Sequence, residues 1–142
     1  MDLVAPLPVF NLYNDQWPIY TSYGPHPPAK LVEGHGGEPG STFNSILSPG
    51  VVVAGGAVSK SVLSPACYVD SAAEVSDSVL LPGVRVGAGA VVRNAIIDKN
   101  VVVPPGAEIG VSEEADRANG FVVEDGLTVL AKDQAVPPPA PA

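Results

Sequence analysis

The sequence predicts an all-β fold, a hexapeptide-repeat solenoid of about four coils. An extended Pro/aromatic segment precedes it, and a short helix plus hairpin follows. Three observations carry this reading. Twelve aliphatic residues recur at spacings of five and six: Leu47, Val53, Val58, Leu63, Val69, Val75, Leu80, Val86, Val92, Ile97, Val103 and Ile109. That spacing fits neither an α-helix nor a plain amphipathic strand; it fits a three-walled prism with one such residue pointing inward from each wall. A second inward column runs about two residues earlier, by strand alternation. It is mostly small: Ser45, Val51, Ala57; Ser61, Cys67, Ala73; Ser78, Val84, Ala90; Ala95, Val101, Ala107. Finally, aromatics make up only 6% of the chain, as expected for a stack of short aliphatic strands.

In chain order, residues 1–41 form an extended junction segment. Its prolines fix extended or turn geometry. Phe10, Tyr13, Trp17, Ile19 and Tyr20 are too apolar for a free linker and are expected to pack, on the first coil or on a neighbour outside this chain. GHGGEPG (34–40) reads as a surface loop. The solenoid occupies 42–111. Its coils 61–77 (SVLSPACYVDSAAEVSD), 78–94 (SVLLPGVRVGAGAVVRN) and 95–111 (AIIDKNVVVPPGAEIGV) have 17 residues each, and 45–60 is the same coil with one residue missing. Residues 112–134 hold a helix over 112–119, with Ser112 as N-cap and Gly120 as terminator. Two strands then flank the hairpin dipeptide Asp125-Gly126. This part and the N-terminal segment are expected to cover the two ends of the stack. Residues 135–142 read as a disordered proline-rich tail.

A net charge of −8 argues against nucleic acid or an anionic membrane as the main partner. One cysteine excludes an internal disulfide framework and fits a reducing, cytoplasmic setting. No apolar run is long enough to span a bilayer. The outward Val52, Val91 and Val102 predict self-association.

Four quoted segments, MDL…PVFNLY, WPIYT…PPAKLV, SVLSP…IIDKNVVV and PGAEIGVSEEAD…GLTVLAK, make the chain resemble the C-terminal part of ADP-glucose pyrophosphorylase, or glucose-1-phosphate adenylyltransferase, of the actinobacterial type. The resemblance implies a left-handed parallel β-helix. It implies a homotetramer, a regulatory role, and a partner in the catalytic nucleotidyltransferase domain of the same full-length chain. That domain would bind ATP and magnesium and join ATP to glucose 1-phosphate, giving ADP-glucose and pyrophosphate for glycogen synthesis. No glycine- and arginine-rich phosphate loop occurs in this chain, so this chain is expected to have no catalytic residues, cofactor or metal of its own.

The resemblance also implies an effector site for anionic sugar phosphates or glycolytic metabolites. Such anions need clustered cations. The candidates are Lys99, Lys132, Arg93 and Arg117, from only seven basic residues. Lys99 stands where the other coils hold Pro49, Pro65 and Pro82, and lies in IIDKN, where the family places a basic effector residue. Lys132, in GLTVLAKD, matches a second effector lysine. Read from the residues alone, both are solvated lysines, Lys99 paired with Asp98. Arg93 and Arg117 also suit surface ion pairing, Arg117 with Glu113 at i,i+4. Lys30 is a candidate contact to the catalytic domain, and Arg85 reads as a solvated face.

Other chemistries fit less well. A hexapeptide acyltransferase needs a histidine base between coils, and a hexapeptide carbonic anhydrase needs three histidine ligands. His26 and His35 both precede the coils. Cys67 falls in an inward column, as a small core residue rather than a nucleophile. The remaining alternative is a stand-alone β-helical subunit that binds a separate nucleotidyltransferase.

Overall fold

The computed structural model describes residues 2–6, 8–10, 12–18 and 24–139. Three walls of short strands enclose one core. The first wall has five parallel strands, Lys30–Val32, Val52–Ala54, Tyr68–Val69, Arg85–Val86 and Val102–Val103. The second stacks Ser41–Phe43, Ala57–Ser59, Glu74–Ser76, Val91–Arg93 and Glu108–Ile109. The third has six: Ile46–Leu47, Val62–Leu63, Val79–Leu80, Ala95–Ile97, Leu127–Leu130 and, antiparallel at its end, Val122–Glu124.

Strands are two to four residues long because a left-handed backbone residue ends each wall. Asn44, Lys60, Asp77 and Asn94 turn the chain from the second wall to the third, with φ between 44° and 48°. Ala66, Asn100 and Asp133 do the same between the third wall and the first, in one column with Gly50 and Gly83. Asn and Asp tolerate this conformation best among side-chain-bearing residues. The ladders between coils are the hydrogen bonds of a parallel sheet, as in Val86 opposite both Val69 and Val103.

The inward aliphatic column is as the repeat predicts. All twelve positions point inward; eleven are buried and Leu47, in the first coil, is half-buried. The second column differs at one position. Ala57 is exposed, because the ladder sets it opposite the outward Glu74. The coil 45–60 is short by one residue between Val53 and Val58, and that deletion brings Gly56 into the inward column instead. A Cβ on Gly56 would lie 2.7 Å from Val69 Cγ1 and 2.8 Å from the Asp70 carbonyl oxygen, so the tightened corner admits only glycine.

One part of the second column is polar and satisfied. The Ser61 hydroxyl donates to the Ser59 carbonyl (2.7 Å) and accepts from the Ser78 N–H (3.2 Å). Ser78 repeats this one coil later, donating to Ser76 (2.7 Å) and accepting from Ala95 (3.1 Å). Both serines are fully buried, and each hydroxyl ties its coil to the next without leaving an unpaired group.

The ladders begin upstream of 42. Lys30–Val32 pairs with Val52–Ala54, and Ser41–Phe43 with Ala57–Ser59, so the loop 34–40 is an excursion within the first rung. The N-terminal segment does not close this end among the described residues. Leu31, which stands opposite the buried Val53, is 42% exposed. Phe10, Tyr13 and Trp17 are exposed too, so the first coil is not what buries them; Ile19 and Tyr20 lie outside the described residues.

The other end is closed. The helix Glu113–Ala118 starts at Ser112, whose hydroxyl accepts from the Ala115 N–H, and Gly120 follows it with φ +79°. The hairpin turns at Asp125-Gly126 and returns Leu127–Leu130 to the third wall, in parallel register with Ala95–Ile97. Phe121 and Leu130 are buried. Asp116 is buried as well; its Oδ2 accepts from the Gly110 N–H (2.8 Å) and from the Thr128 hydroxyl (2.7 Å). The tail expected to be disordered lies along the last coil as far as 139. Val136 packs on the core, and Pro137, Pro138 and Pro139 border a groove with Ala107, Glu108 and Asn119.

Candidate functional site

The register brings two of the four candidate cations together. Ile97 stands opposite Leu130, so Lys99 and Lys132 occupy equivalent places on adjacent rungs, at the corner that leaves the third wall. The Asp133 N–H donates to the Lys99 carbonyl (3.0 Å), and the Asn100 side-chain amide donates to Asp133 Oδ1 (3.0 Å). In a parallel stack, neighbouring rungs are about 4.8 Å apart. Two ammonium groups on flexible stems at that spacing can meet on one phosphate or carboxylate.

Each amine already has a carboxylate. Lys99 Nζ lies 3.3 Å from Asp98 Oδ1, and Lys132 Nζ lies 3.8 Å from Asp133 Oδ2. The Asp98 carboxyl is held below its ordinary value. The first cause is the Lys99 backbone N–H, which donates to it at 2.7 Å; the Lys99 amine and the Lys132 charge add to this. All four groups face solvent to some degree, so the pairs are loosely held. A doubly charged anion competes with them for the amines.

Arg93 and Arg117 are not part of this pair. Arg93 lies on the second wall, its guanidinium 3.1 Å from Glu74 across one rung. Arg117 pairs with Glu113 at 2.8 Å along the helix. The strand carrying Arg93 passes tightly under the helix start: a Cβ on Gly110 would fall 1.6 Å from the Arg93 carbonyl oxygen.

Arg85 is exposed on the first wall, with its guanidinium 5.7 Å from the centre of the Tyr68 ring, within cation–π range. Tyr68 and Lys30 line a shallow groove of about 290 Å³ under the 34–40 loop, with Glu33, His35, Val52 and Ala54. His35 is held there by its backbone N–H, which donates to the Ser71 hydroxyl (2.9 Å).

Cys67 is 1% exposed. Burial pushes its thiol up to about 11, partly offset by nearby backbone N–H groups, and the thiol points at the Leu81 carbonyl (3.3 Å). A neutral buried thiol is a poor nucleophile. Among the described residues no three His, Cys, Asp or Glu side chains converge as metal ligands. No helix among them is long and apolar enough to cross a membrane.

Sequence reasoning missed Asp116 and the pairing of Lys99 with Lys132. Asp116 sits in an acidic run, SEEAD, in which nothing marks one carboxyl as buried.

Residues 27–130 match the family described as GlmU-like, C-terminal hexapeptide. The chain is 57% identical over 140 residues to the glucose-1-phosphate adenylyltransferase of Arthrobacter sp. (strain FB24), covering 98% of this chain and 30% of that protein. It is 54% identical over 134 residues to the enzyme of the same name from Parafrankia sp. (strain EAN1pec), covering 93% and 32%. The corresponding Bifidobacterium longum (strain NCC 2705) protein is 49% identical over 137 residues, covering 96% and 33%. The chain thus spans about a third of the length of these curated relatives, in their C-terminal part. With three parallel walls wound from hexapeptide units and a family match over most of its length, the chain belongs to the GlmU-like C-terminal hexapeptide family, whose fold is the left-handed parallel β-helix.

Proposed function

We propose that this chain is the regulatory and assembly region of a cytoplasmic glucose-1-phosphate adenylyltransferase in glycogen synthesis, and that Lys99 and Lys132 are the part of its anionic-effector site built from these residues. The observation that carries the site is the register that sets the two lysines one rung apart; the relatives' name and the C-terminal position of the match support the context. Catalysis, with its ATP and magnesium, belongs in this reading to a catalytic domain elsewhere in the same polypeptide. The chain's own contribution is to present two amines on a rigid wall, hold Asp98 and Asp133 as exchangeable counter-charges, and join subunits into a homotetramer. Arg93 and Arg117 remain in their ion pairs and have a lesser part.

The test is activator titration of the complete enzyme carrying this chain, with Lys99→Gln and Lys132→Gln. Fructose 1,6-bisphosphate and 3-phosphoglycerate serve as probes. Each substitution is expected to raise the half-saturating activator concentration about tenfold, the loss of one charge-assisted contact, with unactivated kcat unchanged. Wild-type activator response in both variants overturns the site. A native polypeptide no heavier than this chain overturns the enzyme context.

A further inference from the structure

The corner that leaves the third wall changes character in the last two rungs. In the first three it reads Ser48-Pro49-Gly50, Ser64-Pro65-Ala66 and Leu81-Pro82-Gly83. In the last two it reads Asp98-Lys99-Asn100 and Ala131-Lys132-Asp133. Each lysine that replaces a proline is thus accompanied by a neighbouring carboxylate. The two carboxylates stand on opposite sides of the lysine pair, because Asp98 precedes its lysine and Asp133 follows. Asn100 lies opposite Asp133 on the adjacent rung, and both hold positive φ, 62° and 57°. The Asn100 amide nitrogen donates to Asp133 Oδ1 (3.0 Å). Its amide oxygen sits over Gly83, where an added Cβ would come within 3.0 Å of it. Asp133 is therefore clamped through one oxygen, while Oδ2 lies 3.8 Å from Lys132 Nζ. Asp98 is clamped by the Lys99 N–H at 2.7 Å, and the same oxygen meets the Lys99 amine at 3.3 Å. The Lys132 charge also reaches Asp98 across the rung.

We infer that Asp98 and Asp133 are built-in competitors for the two lysines, with Asn100 positioning Asp133, and that they make the site select doubly charged anions over singly charged ones. The inference rests on the two-lysine site proposed above and names its specificity. Charge carries the argument. Two ammonium groups and two carboxylates leave the corner neutral as a whole. A carboxylate tethered beside its lysine competes at an effective concentration in roughly the millimolar range. A singly charged ligand exchanges one such carboxylate for another anion of equal charge. It gains little Coulomb energy and still loses its free motion. A dianion that spans both amines meets two positive charges about 4.8 Å apart, and both aspartates turn to water. A phosphate monoester carries that charge near neutral pH. Asn100 enters because a carboxylate fixed through Oδ1 keeps Oδ2 toward the Lys132 amine. Without that clamp Asp133 spends less time there and competes less.

Activator titration of the complete enzyme carrying this chain tests the inference. Fructose 1,6-bisphosphate is the activator, and sulfate or acetate the competing anion at matched ionic strength. Asp98→Asn and Asp133→Asn keep an oxygen for the Lys99 N–H and the Asn100 amide and remove only the charge. Each is expected to lower the half-saturating activator concentration about threefold, the strength of an exposed ion pair. Each is also expected to make acetate a better competitor, so that the preference for sulfate over acetate falls. A merely structural role would not move that preference. Asn100→Gly keeps the positive φ, removes the amide, and is expected to shift both readouts in the direction of Asp133→Asn. Glu108→Gln removes an equal charge from the second wall and is expected to shift neither. Circular dichroism checks that each variant is folded. Folded Asp98→Asn and Asp133→Asn enzymes with a wild-type or higher half-saturating concentration, or with an unchanged anion preference, overturn the competitor role. Loss of activator response in Lys99→Gln and Lys132→Gln then leaves the lysine site standing without it. Wild-type response in the lysine variants overturns the site and the competitors together.

Discussion

At the C-terminal end, a buried carboxyl, a capped helix and a returning strand close the stack, with Phe121 and Leu130 covered and Asp116 joining Gly110 to Thr128. At the N-terminal end, the inward Leu31 of the first rung is 42% exposed, and Leu47 is only half-buried. Between them every inward position is sealed by a coil above and a coil below. In a solenoid each rung is stabilised by its neighbours alone, so stability is set by local closure. The middle should be intolerant of change, the closed end should depend on a few polar contacts, and the open end should respond weakly.

The largest effect belongs to the middle. Val86 is fully buried, with Val69 and Val103 opposite it. Val86→Asp places a carboxyl among aliphatic side chains with no partner, and a loss of about 4 kcal/mol or more is expected, enough to unfold the domain. A folded, soluble Val86→Asp protein by circular dichroism would refute the inward register on which the comparison stands.

The ends themselves are compared next. Asp116→Ala deprives the Gly110 N–H and the Thr128 hydroxyl of their shared acceptor. Leaving two buried donors unsatisfied costs about 2–4 kcal/mol, read as a fall of roughly 10 °C in Tm. Leu31→Ala, at an inward site still 42% exposed, should cost less than about 1 kcal/mol. Equal losses in thermal melts would mean that the open end is covered in solution and that the contrast is false.

The smallest effect is a gain. Ala66 holds φ +61° at an exposed corner whose column contains Gly50 and Gly83. Ala66→Gly removes the steric cost of that conformation and returns part of it as chain entropy in the unfolded state, for a net stabilisation of about 0.5 kcal/mol. Chemical denaturation measures it; a loss of similar size would show that the corner is not strained.

The solenoid was legible because stacking forces the same residue type into the same place every 17 positions. Where the count breaks, the reading slips. One missing residue between Val53 and Val58 was enough to put Ala57 in a column that belongs to Gly56. The first rung was hidden because its two strands are separated by the 34–40 loop, and Thr42 fills one of its inward places instead of an aliphatic. Lys99 and Lys132 were both singled out, yet their adjacency was not, since the helix and hairpin lie between two rungs that touch. The outward aliphatic row of the third wall, Ile46, Val62, Val79 and Ile96, was overlooked for a different reason. Ile46, Val62, Val79 and Ile96 each directly precede an inward aliphatic, so they read as part of the core pattern until the walls are laid side by side.

The excursion after Gly110 separates contour length from height. The chain leaves the stack, makes a helix and a hairpin, and re-enters one rung above its point of departure. Vertical position is therefore metered by hydrogen bonds rather than by residue count, as marks are on a ruled scale. Material inserted at such a corner changes the ornament on the column without moving the marks. A lysine relocated by one coil keeps its azimuth and shifts by one graduation, which gives this architecture a way to retune the gap between two charges in fixed increments while its core stays as it is.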